Sequence, residues 1–195
     1  MWDEPKPRWT YIFIGTCTLF YLLQQVSHIE IYLAYVPAFT VTHPWTMITA
    51  IFLHLTPDHL IFNMLALLIF GTMLERRIGN RSFAALFVVS GVVGNLGYYI
   101  TASNPMIPVI GASGAIYGVM GTLAVLEPFQ LVYIYGLMPI PMIAAALLWG
   151  IGDFMGLFAP STIAHGAHLA GMFVGAIFGF ILRWEYSSRR VEYSF

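Results

Sequence analysis

Ser113 lies between Gly111-Ala112 and Gly114-Ala115, in a run that continues Ile116-Tyr117-Gly118. A serine hydroxyl attacks an acyl group only when a base removes its proton, and the imidazole of His168 is the natural candidate. His59 and Asn63 are spaced i, i+4, so on a helix they share one face and offer N–H donors to an oxyanion. Together these residue types suit acyl transfer, with a nucleophile, a general base and donors for charge developing on a carbonyl oxygen. Each also has a purely structural reading. Gly114 and Gly118 form a G-x-x-x-G pair that lets helices pack closely, His59 can cap a helix, and Asn63 can bond a neighbour. Which reading holds depends on the elements that position Ser113 and His168.

Those elements are membrane helices. Of 195 residues, 59% are hydrophobic and 9% charged, against about 25% charged in soluble domains. Apolar segments run over Trp9–Val26, Leu60–Leu74, Phe83–Ile100, Ala112–Leu126, Leu137–Phe158 and Ile163–Leu182. Most approach the roughly 20 residues that cross a hydrocarbon core of about 30 Å. The fold expected is an all-α bundle of six transmembrane helices in one domain over residues 1–195, with the first segment retained as an anchor rather than cleaved as a leader. The lone Cys17 sits inside that first segment, which leaves no disulfide framework.

Charge orients the bundle. All eight basic residues fall in three places: Lys6 and Arg8, then Arg76, Arg77 and Arg81, then Arg183, Arg189 and Arg190. With six spans these places share one side, which the positive-inside rule makes cytoplasmic, together with both termini. The opposite side carries the Ser27–Asp58 loop, the Thr101–Gly111 loop and the Ala159–Thr162 turn, all without Lys or Arg. The net charge of −1 and the lack of a basic stripe argue against nucleic acid. The expected partners are the lipid bilayer and membrane-protein substrates.

The fourth span is too short to cross. From Ser113 to Glu127-Pro128 a helix covers about 21 Å at 1.5 Å per residue, so its Ser113 end lies below the outer surface. A helix N-terminus there presents unsatisfied N–H groups and a positive dipole end, which suits an oxyanion beside Ser113. His168, in the first third of the sixth span, falls at a similar depth. Below it Gly171, Gly175 and Gly179 repeat every four residues, a smooth face that Gly114 and Gly118 match. Tyr117, one turn below Ser113, falls on the serine's face and can buttress the imidazole.

The Gly111–Gly118 run resembles the G-x-S-G motif of the rhomboid family of intramembrane serine proteases. Three further blocks agree in order: His54 with His59-Leu60-Ile61-Phe62-Asn63, Glu75-Arg76-Arg77-Ile78-Gly79, and His165-Gly166-Ala167-His168-Leu169-Ala170-Gly171. The resemblance covers nearly the whole chain. By position it implies Ser113 as nucleophile, His168 as general base, His59 and Asn63 as oxyanion donors beside the Ser113 N–H, and Tyr117 packed on the base. It also implies the six-helix core, a membrane-embedded outer loop over Ser27–Asp58, an inner connection over Phe129–Gly136, and the fifth span with its Ala144-Ala145-Ala146 run as a lateral gate. With neither a soluble domain nor a seventh span, the chain resembles the minimal form of the family. Two departures stand out: Trp45 is followed by Thr46 where relatives often carry Arg, and His165 stands where bacterial relatives often have Asn.

The expected reaction is cleavage of a single-span or other membrane protein near the outer face by a Ser113–His168 dyad. No cofactor and no metal is expected. Asp153, in the fifth span, has no demonstrable reach to His168 in the sequence and is read as a structural or cavity-facing group. Two other classes compete with this reading. Clustered His54, His59, His165 and His168 could serve a metal-dependent membrane protein, although H-E-x-x-H is absent and no Asp or Glu adjoins His165 or His168. A catalytically silent binding or trafficking protein could use the same scaffold, although both Ser113 and His168 are retained.

Overall fold

The computed structural model describes residues 6–134 and 137–192, the side chains of Ile134 and of residues 186–192 excepted. The extreme ends of the expected 1–195 domain, the side chains of Arg189 and Arg190, and residues 135–136 of the inner connection lie outside the described residues.

The chain is helical, as its apolar segments require. Helix α1 spans Trp9–Val26. The outer loop that follows holds two one-turn helices, α2 (Glu30–Leu33) and α3 (Thr46–Thr49), and two short 3₁₀ turns. Pro57 and Thr56 start α4 (Pro57–Ala66): the proline occupies the first turn, where its missing N–H costs nothing, and the Thr56 hydroxyl accepts from the His59 N–H at 3.2 Å. A π turn over Leu67–Gly71 joins α4 to α5 (Thr72–Ile78), so the second apolar rod runs over Pro57–Ile78. Next come α6 (Asn80–Thr101), α7 (Ser113–Leu126), α8 (Met142–Gly156) and α9 (His165–Glu192). Pro57–Ile78, Asn80–Thr101 and His165–Glu185 are long and apolar enough to cross a membrane, and α7 and α8 are shorter apolar helices.

One boundary differs materially from expectation. The fifth span, expected from Leu137, begins only at Met142. Before it, β1 (Leu131–Ile134) pairs antiparallel with β2 (Met138–Pro141), Leu131 opposite Pro141 and Ile134 opposite Met138. Pro139 and Pro141 lack the N–H that an interior helical turn must donate, so the Met138–Pro141 run forms one strand of a hairpin instead. The second helix also extends beyond the expected Leu60–Leu74 at both ends, and the sixth, expected over Ile163–Leu182, starts at His165 and runs past Leu182.

Helix α7 forms the middle of the bundle. Ten of its fourteen residues are buried, and Gly114 and Gly121 face backbone, while Gly118 faces the Ser90 side chain and the Gly171 carbonyl. A β-carbon on Gly171 would strike the Gly114 carbonyl, and one on Gly175 would strike the Gly118 carbonyl, so α7 and α9 touch main chain to main chain. The Thr122 hydroxyl spans the contact, donating to the carbonyls of Gly118 at 3.0 Å and Gly175 at 2.8 Å. Gly94 of α6 approaches the Ala167 carbonyl in the same way.

The basic helix ends gather opposite the Ser113 end. Buried Glu75 accepts from the backbone N–H groups of Arg8, Trp9 and Thr10 and from the Thr10 hydroxyl, at 2.7–2.9 Å. Three donors that the first turn of α1 cannot satisfy internally therefore end on one carboxylate. Arg77 pairs with Glu127 at 3.1 Å, and Arg183 donates to the Val125 carbonyl at 3.3 Å.

Candidate active site

The loop ahead of α7 is pinned to the outer loop. Tyr35 and Val109 form an isolated antiparallel bridge, and the Gly111 N–H donates to the Ala50 carbonyl at 2.9 Å. Gly111 has φ of +131°, a conformation that side chains rarely adopt. A β-carbon there would also lie 2.8–2.9 Å from the His59 ring. Glycine is thus required for both the bend and the space. The bend delivers Ser113 as the first residue of α7, with Ala112 as its N-cap.

The contact that the sequence leaves open is made. His168 Nε2 lies 2.8 Å from Ser113 Oγ, a distance set by the glycine-to-carbonyl packing of α7 on α9 just below. Tyr117 stacks on the His168 ring, with centroids 4.3 Å apart and planes 15° from parallel. His59 sits beside Gly111 and shares with Asn63, Ser113 and His168 the lining of a cavity of about 500 Å³. Asn63 is buried and commits one amide hydrogen to the His59 carbonyl at 2.8 Å, which leaves its second N–H for another acceptor.

Asp153 requires a correction. Far from lacking reach, its Oδ1 lies 3.0 Å from His168 Nδ1 and 2.6 Å from His165 Nδ1. His165 Nε2 in turn lies 2.9 Å from the Ser161 hydroxyl. Asp153 is 5% exposed. The spacing of His165 and His168, i and i+3 on one helix face, was the available signal that both rings seek a common partner. The partner itself lies on another helix, out of reach of any pattern in the sequence.

The four histidines do not converge on one ligand set. His54 is fully buried, and its ring meets that of His59 edge-on at 5.1 Å. Burial, reinforced by His59 beside it, pushes the His54 imidazole down to about 3, so it stays neutral. His165 and His168 instead close on Asp153, with ligand-type atoms within 4.8 Å. The 2.6 and 3.0 Å separations from Oδ1 are hydrogen-bonding distances. Tetrahedral zinc with bonds of about 2.0 Å would hold its ligand atoms roughly 3.3 Å apart.

The outer-loop departure has a local explanation. Thr46 is buried, and its hydroxyl donates to the His43 carbonyl at 2.7 Å, while the Trp45 indole N–H reaches the Tyr32 carbonyl at 3.3 Å. At the position where the resemblance leads to the expectation of an arginine, a short side chain closes a turn.

Comparison with known proteins bears on the family. A family model described as Rhomboid domain matches residues 41–185. The chain is 31% identical over 180 residues to the Rhomboid protease GlpG of Haemophilus influenzae, covering 88% of this chain and 89% of that protein. It is 34% identical over 140 residues to YdcA of Bacillus subtilis, covering 70% of this chain and 66% of that one. With the Rhomboid protease GluP of Bacillus subtilis it shares 29% identity over 186 residues, 90% of this chain but 35% of that longer protein.

Proposed function

Because the chain belongs to the rhomboid family and is on that ground an intramembrane serine protease, we propose that Ser113 is its nucleophile and His168 its general base. The observation that carries this reading is the 2.8 Å approach of His168 Nε2 to Ser113 Oγ. His168 takes the serine proton as Oγ attacks a peptide carbonyl, and the tetrahedral intermediate collapses as His168 returns that proton to the leaving amine. A water molecule, deprotonated by the same imidazole, then releases the acyl group and regenerates the serine.

The oxyanion is held by the Ser113 N–H, free of helical partners at the first position of α7, with His59 and Asn63 across the cavity. His59→Ala and Asn63→Ala should each lower turnover by about 10²–10³-fold with little change in KM, the scale for one oxyanion donor. Unchanged turnover in steady-state cleavage assays would return either residue to a structural role. Tyr117 keeps the imidazole in plane by stacking.

The substrate is a single-span or other membrane protein, cut near the outer face. The Ser113 end of α7 lies opposite the basic helix ends, which supports a cytoplasmic placement of both termini in the cell membrane and a single membrane domain over residues 1–195. No cofactor, metal or nucleic acid enters this scheme. The direct test is labelling of membranes by a fluorophosphonate probe. Wild-type protein should be modified at Ser113 and Ser113→Ala protein should not, and failure of the wild type to react would remove the nucleophile assignment.

A further inference from the structure

We propose that Asp153 is a positioning residue that acts through His168, and that His165 and Ser161 hold Asp153 in turn, so that the dyad is the reacting end of a five-residue chain. The inference rests on the Ser113–His168 reading above and goes beyond it. Its basis is a continuous series of contacts: Ser161 Oγ to His165 Nε2 at 2.9 Å, His165 Nδ1 to Asp153 Oδ1 at 2.6 Å, Oδ1 to His168 Nδ1 at 3.0 Å, and His168 Nε2 to Ser113 Oγ at 2.8 Å.

Proton counting along that chain gives one consistent assignment. An ionised carboxylate only accepts hydrogen bonds, so both imidazoles carry their proton on Nδ1. His168 then presents a bare Nε2 lone pair to the Ser113 O–H, which is the tautomer a general base needs. His165 presents a bare Nε2 to the Ser161 hydroxyl, which donates to it. When His168 gains the serine proton it becomes an imidazolium already facing the Asp153 anion. No heavy atom has to move for that charge to find its counter-charge, which is the condition for effective electrostatic catalysis. A buried carboxylate within the bundle is costly unless paired. The rings of His165 and His168, with side chains 13% and 12% exposed, supply that pairing from a single face of α9.

The role differs from a mere packing contact in what it controls. Asp153 touches His168 but not Ser113 and does not itself line the cavity, so it should set the rate of the proton-transfer step and not the binding of substrate. An asparagine in its place keeps the volume but offers Nδ2–H as readily as Oδ1, so His168 can turn to the tautomer that protonates Nε2. The corresponding change in a triad costs about 10⁴-fold in turnover.

Two measurements on the full-length protein in detergent or liposomes test this. In steady-state cleavage of a single-span substrate, Asp153→Asn should lower kcat by about 10²–10⁴-fold while KM stays within a few-fold. Nitrogen NMR of the wild-type protein labelled in histidine should find neutral His168 protonated at Nδ1, a result that does not depend on the variant folding. A wild-type kcat in Asp153→Asn, or an Nε2–H tautomer for neutral His168 in the wild type, would overturn the proposal. Failure of the underlying reading looks different: Ser113→Ala would then keep its activity, whereas an inactive Ser113→Ala with a fully active Asp153→Asn removes only the role of Asp153.

Discussion

Ser113→Ala and His168→Ala should each reduce cleavage of a membrane-protein substrate by about 10⁴–10⁶-fold, the scale on which serine hydrolases lose activity when the nucleophile or base is removed. The two variants reach that loss by different routes. In Ser113→Ala the attacking atom is gone, but the first turn of α7 keeps its backbone, and alanine is a better helix former than serine. Its thermal stability should therefore match the wild type. His168→Ala also removes the ring stacked on Tyr117 at 4.3 Å and a donor to Asp153, leaving a buried carboxylate less fully paired. It should melt earlier as well as fail to cleave. Because serine and histidine act as one unit, the double variant should be no slower than either single one. Cleavage in liposomes, paired with thermal unfolding, separates these outcomes. Residual turnover within tenfold of wild type in folded Ser113→Ala protein would refute the nucleophile.

Much of this arrangement is legible from residue types because membranes constrain sequences tightly. The three basic clusters mark one end of the bundle, and the contacts of Glu75 with the start of α1 and of Arg77 with Glu127 meet at that end. The shortness of α7 follows from counting the residues between Ser113 and Glu127-Pro128, and the glycine face of α9 from four-residue spacing. What escapes is what depends on register between helices. The carboxylate of Asp153 meets two rings on α9 only because the turn after Gly156 aligns the two helices, and no periodicity encodes that alignment. The β1–β2 hairpin escapes for another reason: a short apolar run does not distinguish strand from helix by pattern alone. Pro139 and Pro141 carry the distinguishing signal, since proline belongs at strand edges and helix starts rather than in helix interiors. The π turn at Leu67–Gly71 likewise has no sequence signature of its own, although buried Gly71 lies against Thr10, where α1 crosses.

The closeness of α7 and α9 makes the smallest possible substitution there a severe one. Gly175→Ala and Gly171→Ala each add a single methyl group, yet on the existing backbone that carbon would collide with main-chain atoms rather than a side chain that can swing away. At Gly175 it would lie 2.6 Å from the Gly118 carbonyl carbon and 2.8 Å from its Cα, and at Gly171 it would lie 2.9 Å from the Gly114 carbonyl carbon, besides striking the carbonyl oxygen in both cases. The helices must part, and since Ser113 and His168 ride on the first turns of those same helices, their 2.8 Å contact parts with them. A misplacement of about 1 Å costs on the order of 10²-fold in rate, and overpacking of this kind destabilises by about 1–3 kcal/mol. Gly171→Ala should show the larger loss of turnover, because the Gly114 carbonyl it displaces belongs to the residue next to the nucleophile. Gly15→Ala provides the contrast: a β-carbon there meets nothing within 4 Å, and replacing a mid-helix glycine by alanine favours the helix by roughly 1 kcal/mol. Measured side by side for kcat and for rate of fluorophosphonate labelling, the α9 variants should lose both together while Gly15→Ala keeps both. Equal activity across all three would mean that the glycine face does not set the distance between base and nucleophile.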